Sequence, residues 1–280
     1  MDNWRNHIEK ADQDFASTLP FDFEDKEFPN LDAVFLAGGG QDSAAALHHF
    51  CKNAMTTNVE KKLINIYPMY VDYGQLVKLV EIAAILEQSK VMSSRHVKIH
   101  PLRVFTDPLK QEIIGSNGLL TGGDKSAYIE YRNIRYLTTA AAYASLKNCT
   151  WLIAGLAPAV MSIDSGYAAS LATQIALNQN VLNLEKRVRL YAPIVQIHRS
   201  LCVRYLHEVA EDTGIHKSTF SCYTPNVRQG ENELAYIPCG QCLSCQVRIG
   251  GHRLSGHPDP TTEWTVTDQQ LLEIDHVIVY

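Results

Sequence analysis

A chain of 280 residues that is 46% hydrophobic can bury one large core and carry an appendage, and no apolar run approaches the roughly 18 residues of a membrane span. The formal charge of −5 resides in the first 30 residues, where eight acids face three bases; the balanced remainder lacks the basic face that broad nucleic-acid binding requires. The opening MDNWRNHIEKADQDF has the layout of neither a signal peptide nor a transit peptide, so a cytoplasmic protein with no membrane and no direct nucleic-acid partner is expected.

Residues 1–30 read as an acidic N-terminal arm, either a solvated segment or a docking surface for a partner. LDAVFLA (31–37) reads as a buried strand, the glycines after it as a turn, and SAAALHHFCKNAM (43–55) as a helix opening at Ser43. LINIYPMYV (63–71) is a second strand, in which Pro68 calls for a bulge or an unpaired N–H position. A helix over 76–92 and a third strand, RHVKIHPL (95–102), follow. Beyond them come a long helix over 126–148, the strand CTWLIAGL (149–156), a helix over 168–184, the strand VRLYAPIV (188–195) and a helix over 200–212. Strands alternating with helices predict an α/β fold with a doubly wound, mostly parallel sheet whose ligands bind at the carboxyl ends of the strands. His48 and His49 are expected to be helix-surface or packing residues, and Cys51, Cys149 and Cys202 core thiols.

Two stretches carry chemistry. Cys222, Cys239, Cys242 and Cys245 form C-x16-C-x2-C-x2-C, in which two short steps bring three sulfurs round one knuckle and Cys222 closes a four-thiolate site. Gly240 suits a backbone wrapping a metal. Zinc is the expected ion, in a structural role; an iron–sulfur cluster uses similar spacing. The second stretch, FLAGGGQDSAAAL (35–47), is a glycine turn between strand and helix, a place where backbone amides meet phosphate. It is no Walker A loop, because no lysine precedes Ser43, and no dinucleotide fingerprint, because Ser43 stands where the third glycine is required.

GGGQDS resembles the S-G-G-x-D-S loop of the ATP pyrophosphatases: Gly39, Gly40, Asp42 and Ser43 match, and Gly38 replaces the leading serine. DYGQ (72–75), YRN (131–133), IAGL (153–156), DSGY (164–167), FSCY (220–223) and CGQCLSC (239–245) follow in order. Over residues 32 to 253 this series is similar to the QueC family, the 7-cyano-7-deazaguanine synthases. The resemblance implies a Rossmann-like (HUP/PP-loop) domain over 31–215, a zinc-binding subdomain over 216–253 and a C-terminal tail over 254–280. It implies ATP, Mg²⁺ and Zn²⁺ as cofactors and adenylation of the carboxylate of 7-carboxy-7-deazaguanine, followed by attack of an amine. Ala37, Gly38, Gly39, Gly40, Gln41, Asp42, Ser43, Tyr73, Gly74, Arg132 and Gly155 would bind ATP. Asp42, Ser43, Arg132 and Arg199 would carry the chemistry, with Arg199 where the family usually has a lysine. Gln75, Asn133, Asp164, Ser165 and Tyr167 would meet the deazaguanine.

The departures point to a different amine. Leu76 and Val77 stand where the family has Arg-His, Ala168, Ala169 and Ser170 replace Pro-Asp-Cys-Arg, and Tyr131 replaces a glycine. The expected activity is therefore conjugation of the nucleobase to a partner protein, as in the QueC-like enzymes of antiphage defence (CBASS-type) operons. The alternatives are nitrile synthesis from ammonia for queuosine and an inactive zinc- and nucleotide-binding module. The sequence leaves a homodimer open.

Overall fold

The computed structural model describes residues 30–58, 62–110, 129, 131–157, 167–179, 186–195, 197–231, 233–261 and 263–267. In chain order these form β1 (Ala33–Leu36), α1 (Gln41–Thr57), β2 (Ile64–Asp72), α2 (Lys78–Met92), β3 (Val97–Ile99), β4 (Arg103–Thr106) and α3 (Arg132–Lys147). They continue with β5 (Trp151–Ala154), α4 (Tyr167–Gln179), β6 (Arg189–Tyr191), α5 (Arg199–Glu208), β7 (Asn226–Gln229), β8 (Glu233–Ile237), α6 (Leu243–Ser255) and β9 (Trp264–Thr267). The main sheet runs β3-β2-β1-β5-β6, with β4 also beside β2, and every pairing in it is parallel. Alternate residues of β1 explain its two layers. Ala33 and Phe35 pack with α1 and α5, whereas Val34 packs beneath Tyr136, Leu137 and Ala140 of α3.

The expected α/β architecture is present, with several shifts of boundary. The third strand is shorter than 95–102, and Arg103–Thr106 forms a separate strand, β4. β3 pairs with Ile64–Ile66 and β4 with Met69–Asp72, so Pro68 falls between them on that edge while it aligns with Phe35 on the other. The absent N–H thus meets a turn, and β2 runs on without a bulge. The helix expected from 126 begins at Arg132, while 126–128 and 130 lie outside the described residues, as do 1–29 of the acidic arm. α5 ends at Glu208 and is followed by two 3₁₀ turns. His48 and His49 are buried packing residues: His48 Nδ1 meets the Tyr205 hydroxyl at 2.8 Å, and burial holds the His49 pKa down at about 3. Cys51, Cys149 and Cys202 are buried thiols. Among the described residues no helix is long and apolar enough to cross a membrane.

The appendage is larger than the cysteine spacing suggests. β7, β8 and β9 make an antiparallel sheet, in which β9, from the expected tail, pairs with β8. Register explains the return: Trp264 aligns with Tyr236, which packs with Phe220 and the cysteines against α2. Buried Arg248 of α6 ties the segments of this unit to one another. Its guanidinium donates to both Asp259 oxygens (2.6 and 2.8 Å), to Thr261 Oγ1 (3.0 Å), to Thr219 Oγ1 (3.1 Å) and to Ser221 Oγ (3.2 Å).

Arg248→Ala leaves a mostly buried carboxylate without its partner. The loss is expected to be on the order of 3 kcal/mol, the low end for such breaks, because Asp259 keeps 25% of its side-chain exposure. Urea unfolding checks this, and an unchanged midpoint would contradict it.

Candidate active site and metal centre

The glycine turn lies between β1 and α1, at the carboxyl edge of the sheet. Gly39 has φ +70°, and a Cβ there would come 2.8 Å from the Glu81 carbonyl oxygen of α2, so both conformation and space require glycine. The Gly39 carbonyl accepts from Gln88 Nε2 and from the Phe220 amide, each at 3.0 Å. Gly40 caps α1 without a side chain, leaving the amides of the first turn open to an anion. Gly38 donates its N–H to Ser43 Oγ at 3.0 Å, which draws the hydroxyl into the loop. Gly155, after β5, closes the far side: a Cβ there would lie 2.5 Å from the Ser43 nitrogen.

Charged groups flank this turn. Asp42 pairs with Arg199 at the start of α5 and lies 3.7 Å from the Cys202 sulfur. The stem of Arg199 passes over Gly251 of α6, where a Cβ would sit 2.8 Å from its Cγ. Arg132, the first residue of α3, lies 5.7 Å above the ring of Tyr73, which follows β2. Tyr73 belongs to a turn held by its neighbours: Gly74 at φ +91° donates to Asp72 Oδ1 (2.9 Å), and the Tyr73 amide donates to Gln75 Oε1 (2.9 Å). Burial raises the Tyr73 pKa, keeping the phenol neutral. Asp72 accepts from Lys110 (2.8 Å) and Lys78 (3.0 Å); burial alone would raise its pKa, yet these ammonium groups and the Gly74 amide hold it below the usual carboxylate value.

The four cysteines converge, with all sulfurs within 4.8 Å of one another. Backbone amides of Cys239, Gln241 and Cys242 point at sulfur at 3.3–3.4 Å, and Thr224 Oγ1 donates to Cys239 Sγ at 3.4 Å. Burial pushes the Cys245 thiol up to about 11; Cys239 is also raised by burial, but its hydrogen-bond donors bring it down to about 6. Four adjacent thiolates need a cation among them.

A family model described as queuosine biosynthesis protein QueC matches residues 32–256. The chain belongs to the QueC family. It is 26% identical over 248 residues to a 7-cyano-7-deazaguanine synthase of Chromobacterium violaceum, covering 82% of this chain and 93% of that one. It is 28% identical over 257 residues to the synthase of Syntrophus aciditrophicus, covering 83% and 97%. Among solved structures, the U34-tRNA thiolase NcsA from Methanococcus maripaludis with its [4Fe-4S] cluster aligns at a TM-score of 0.48 and 14% identity, covering 98% of this chain and 82% of that one. That likeness is too distant to bear on this chain's chemistry.

Within this QueC-family frame the expected residues have distinct surroundings. Gly38–Ser43, Gly155 and Arg199 meet at the turn, with Ala37 leading into it, while Tyr73 and Gly74 follow β2 and Arg132 of α3 lies over the Tyr73 ring. Gln41, however, is buried with its amide 2.7 Å from His252 of α6, so it ties the loop to the appendage. Gln75 spends its amide on Tyr70, Val71, Glu81 and Tyr73, shaping the turn. Asn133 lies in the first turn of α3. Asp164 and Ser165 lie outside the described residues, and Tyr167 starts α4. Where the family has Arg-His, Leu76 is 41% exposed and Val77 is buried against the appendage with Val80 and Phe220. Tyr131 keeps the left-handed backbone a glycine would favour, φ +57°, with its ring 69% exposed. Glu81, Gln88 and Arg248 escaped sequence reasoning, although a lone acid within LVKLVEIAAIL was a usable signal.

Gly155→Ala should displace the first turn of α1, because the added methyl meets backbone at 2.5–2.7 Å. Overpacking of this kind costs about 1–3 kcal/mol. Calorimetric titration should also show Mg-ATP affinity reduced at least tenfold; a variant matching the wild type in both would contradict this packing.

Proposed function

We propose that this QueC-family enzyme uses ATP to adenylate the carboxylate of 7-carboxy-7-deazaguanine and passes the acyl group to an amine of a partner protein. The observation that carries the reading is the glycine turn: wedged against α2, open at the α1 amides and flanked by Arg199, which pairs with Asp42. A carboxylate oxygen attacks the α-phosphorus of ATP and pyrophosphate leaves; the amine then attacks the acyl carbon and AMP departs. Pyrophosphate is the anion that the loop amides, the Ser43 hydroxyl and Arg132 would stabilise as charge develops on it. Asp42 would turn from Arg199 to Mg²⁺, releasing the guanidinium for phosphate. The changed positions support a protein acceptor: exposed Leu76 removes a cation from the mouth, and the acidic arm supplies a docking charge. A second reading, nitrile synthesis from ammonia, is favoured by the relatives, which are 7-cyano-7-deazaguanine synthases.

The same proposal includes a structural zinc. A tetrahedral Zn²⁺ with Zn–S of about 2.3 Å spaces its sulfurs about 3.8 Å apart; Cys239–Cys245 and Cys222–Cys242 are each 4.0 Å apart. A [4Fe-4S] cluster would place each thiolate on a separate iron and spread them more widely.

Elemental analysis should find one zinc per chain. Such a site supplies on the order of 10–16 kcal/mol of binding energy coupled to folding, so Cys242→Ala should be insoluble or metal-free. Iron in the purified protein, or a soluble, metal-free and fully active variant, contradicts the zinc assignment.

Incubation with ATP, Mg²⁺ and the deazaguanine carboxylate should give AMP and pyrophosphate, with turnover lowered in Ser43→Ala and Asp42→Ala. Finding ADP and phosphate would sink the adenylation reading. Intact-mass spectrometry of a co-expressed partner should show the deazaguanine adduct, whereas efficient nitrile formation from ammonium with no adduct would return the chain to the synthase reading.

A further inference from the structure

Glu81 is the one acid of α2 that touches the phosphate turn, and none of the steps above uses it. Its backbone carbonyl is the atom that a side chain at Gly39 would strike. Its carboxylate faces the opposite way, accepting from the Tyr70 hydroxyl at 2.6 Å and from Gln75 Nε2 at 3.4 Å. Gln75 in turn fixes the Tyr73 amide, and the Tyr73 ring lies under Arg132. One residue therefore contacts both the loop and the platform of the arginine. The titratable and charged groups facing it are Tyr70 of β2, Tyr73 of the following turn and Arg132 of α3; on the Gly39 side it meets backbone.

Electrostatics gives this arrangement a consequence. Without nucleotide, the positive Arg132 favours the charged form of Glu81. Once phosphates engage the guanidinium, that attraction is lost, and the carboxylate is left partly buried beside a polyanion. Resting on the nucleotide reading of this site, we propose that Glu81 is a positioning residue that sets Arg132 through the Tyr70–Gln75–Tyr73 network and takes up a solvent proton when ATP phosphates engage the arginine. Geometry supplies the link, and the acid–base properties agree with it. Burial pushes the Glu81 carboxyl up to about 7, against the opposing effects of Tyr70, Gln75 and Arg132. Below pH 7 the group already carries its proton, so uptake is confined to the window above 7. Because the bound state holds the extra proton, affinity falls as pH rises through that window, by up to about tenfold per pH unit.

The test is calorimetric titration of Mg-ATP into the full-length protein at pH 6 to 9, in buffers of different ionisation enthalpy. The difference between wild type and Glu81→Gln cancels the proton exchange of the nucleotide itself. Wild type should take up a substantial fraction of one proton more than the variant at pH 7.5–8, and the variant's affinity should depend less on pH. Equal proton uptake in the two proteins would overturn the assignment while leaving the nucleotide site intact. Wild type that binds no Mg-ATP would defeat the nucleotide reading and this proposal with it. Should Glu81→Gln fail to fold, Tyr70→Phe decides: losing the hydroxyl that stabilises the carboxylate should move the uptake window to higher pH, and an unmoved window overturns the proposal.

Discussion

The carbonyl of Gly39 is the constraint on which the site depends. A residue at φ +70° between a buried strand and a helix directs that carbonyl inward, where Gln88 and the Phe220 amide hold it at 3.0 Å each. A buried carbonyl left unpartnered would cost about 1–3 kcal/mol, so the two donors fix the turn as firmly as the glycine permits it. Turning this carbonyl away from the mouth leaves amides and the α1 terminus to meet an anion. The same donors make the loop inseparable from what lies beyond it. Phe220 stands two residues before Cys222, and Gln88 also reaches the Ser218 carbonyl at 2.7 Å.

The four-cysteine cluster is consequently a support for the glycine turn. The strap over 218–222 has the loop on one side, Arg248 on the other and Cys222 of the four-cysteine cluster at its end. Gln41 adds a second tie through His252, and Gly251 makes room for Arg199 beside Asp42. α6 therefore reaches the turn through His252 and through the space that Gly251 leaves for Arg199. Around His252, His207 and His216 pack as rings 4.7 Å apart and are held neutral chiefly by burial, consistent with packing residues.

Local chemistry was legible in the sequence and long-range contact was not. The β1–turn–α1 unit could be read because an apolar run, three glycines and an alanine-rich helix are each local signals. The cysteine set could be read because spacing alone brings three sulfurs together. Gln41 and Gln75 illustrate the limit: a motif fixes their place in the chain, but the direction of each amide is decided by His252 and Tyr70, far away in sequence or across a turn. β9 was missed because its pairing partner, β8, is some thirty residues distant and α6 intervenes. Pro68 was legible as a disturbance, but its resolution needed the unforeseen division between β3 and β4.

In the proposed reaction a carboxylate oxygen becomes bonded to the α-phosphorus of ATP. Turnover with substrate carboxylate labelled with ¹⁸O, followed by mass spectrometry of all products, examines that bond itself. One labelled oxygen is expected in AMP, none in pyrophosphate, and the second label in an amide product. Label in phosphate or pyrophosphate, or unlabelled AMP formed alongside product, would contradict it.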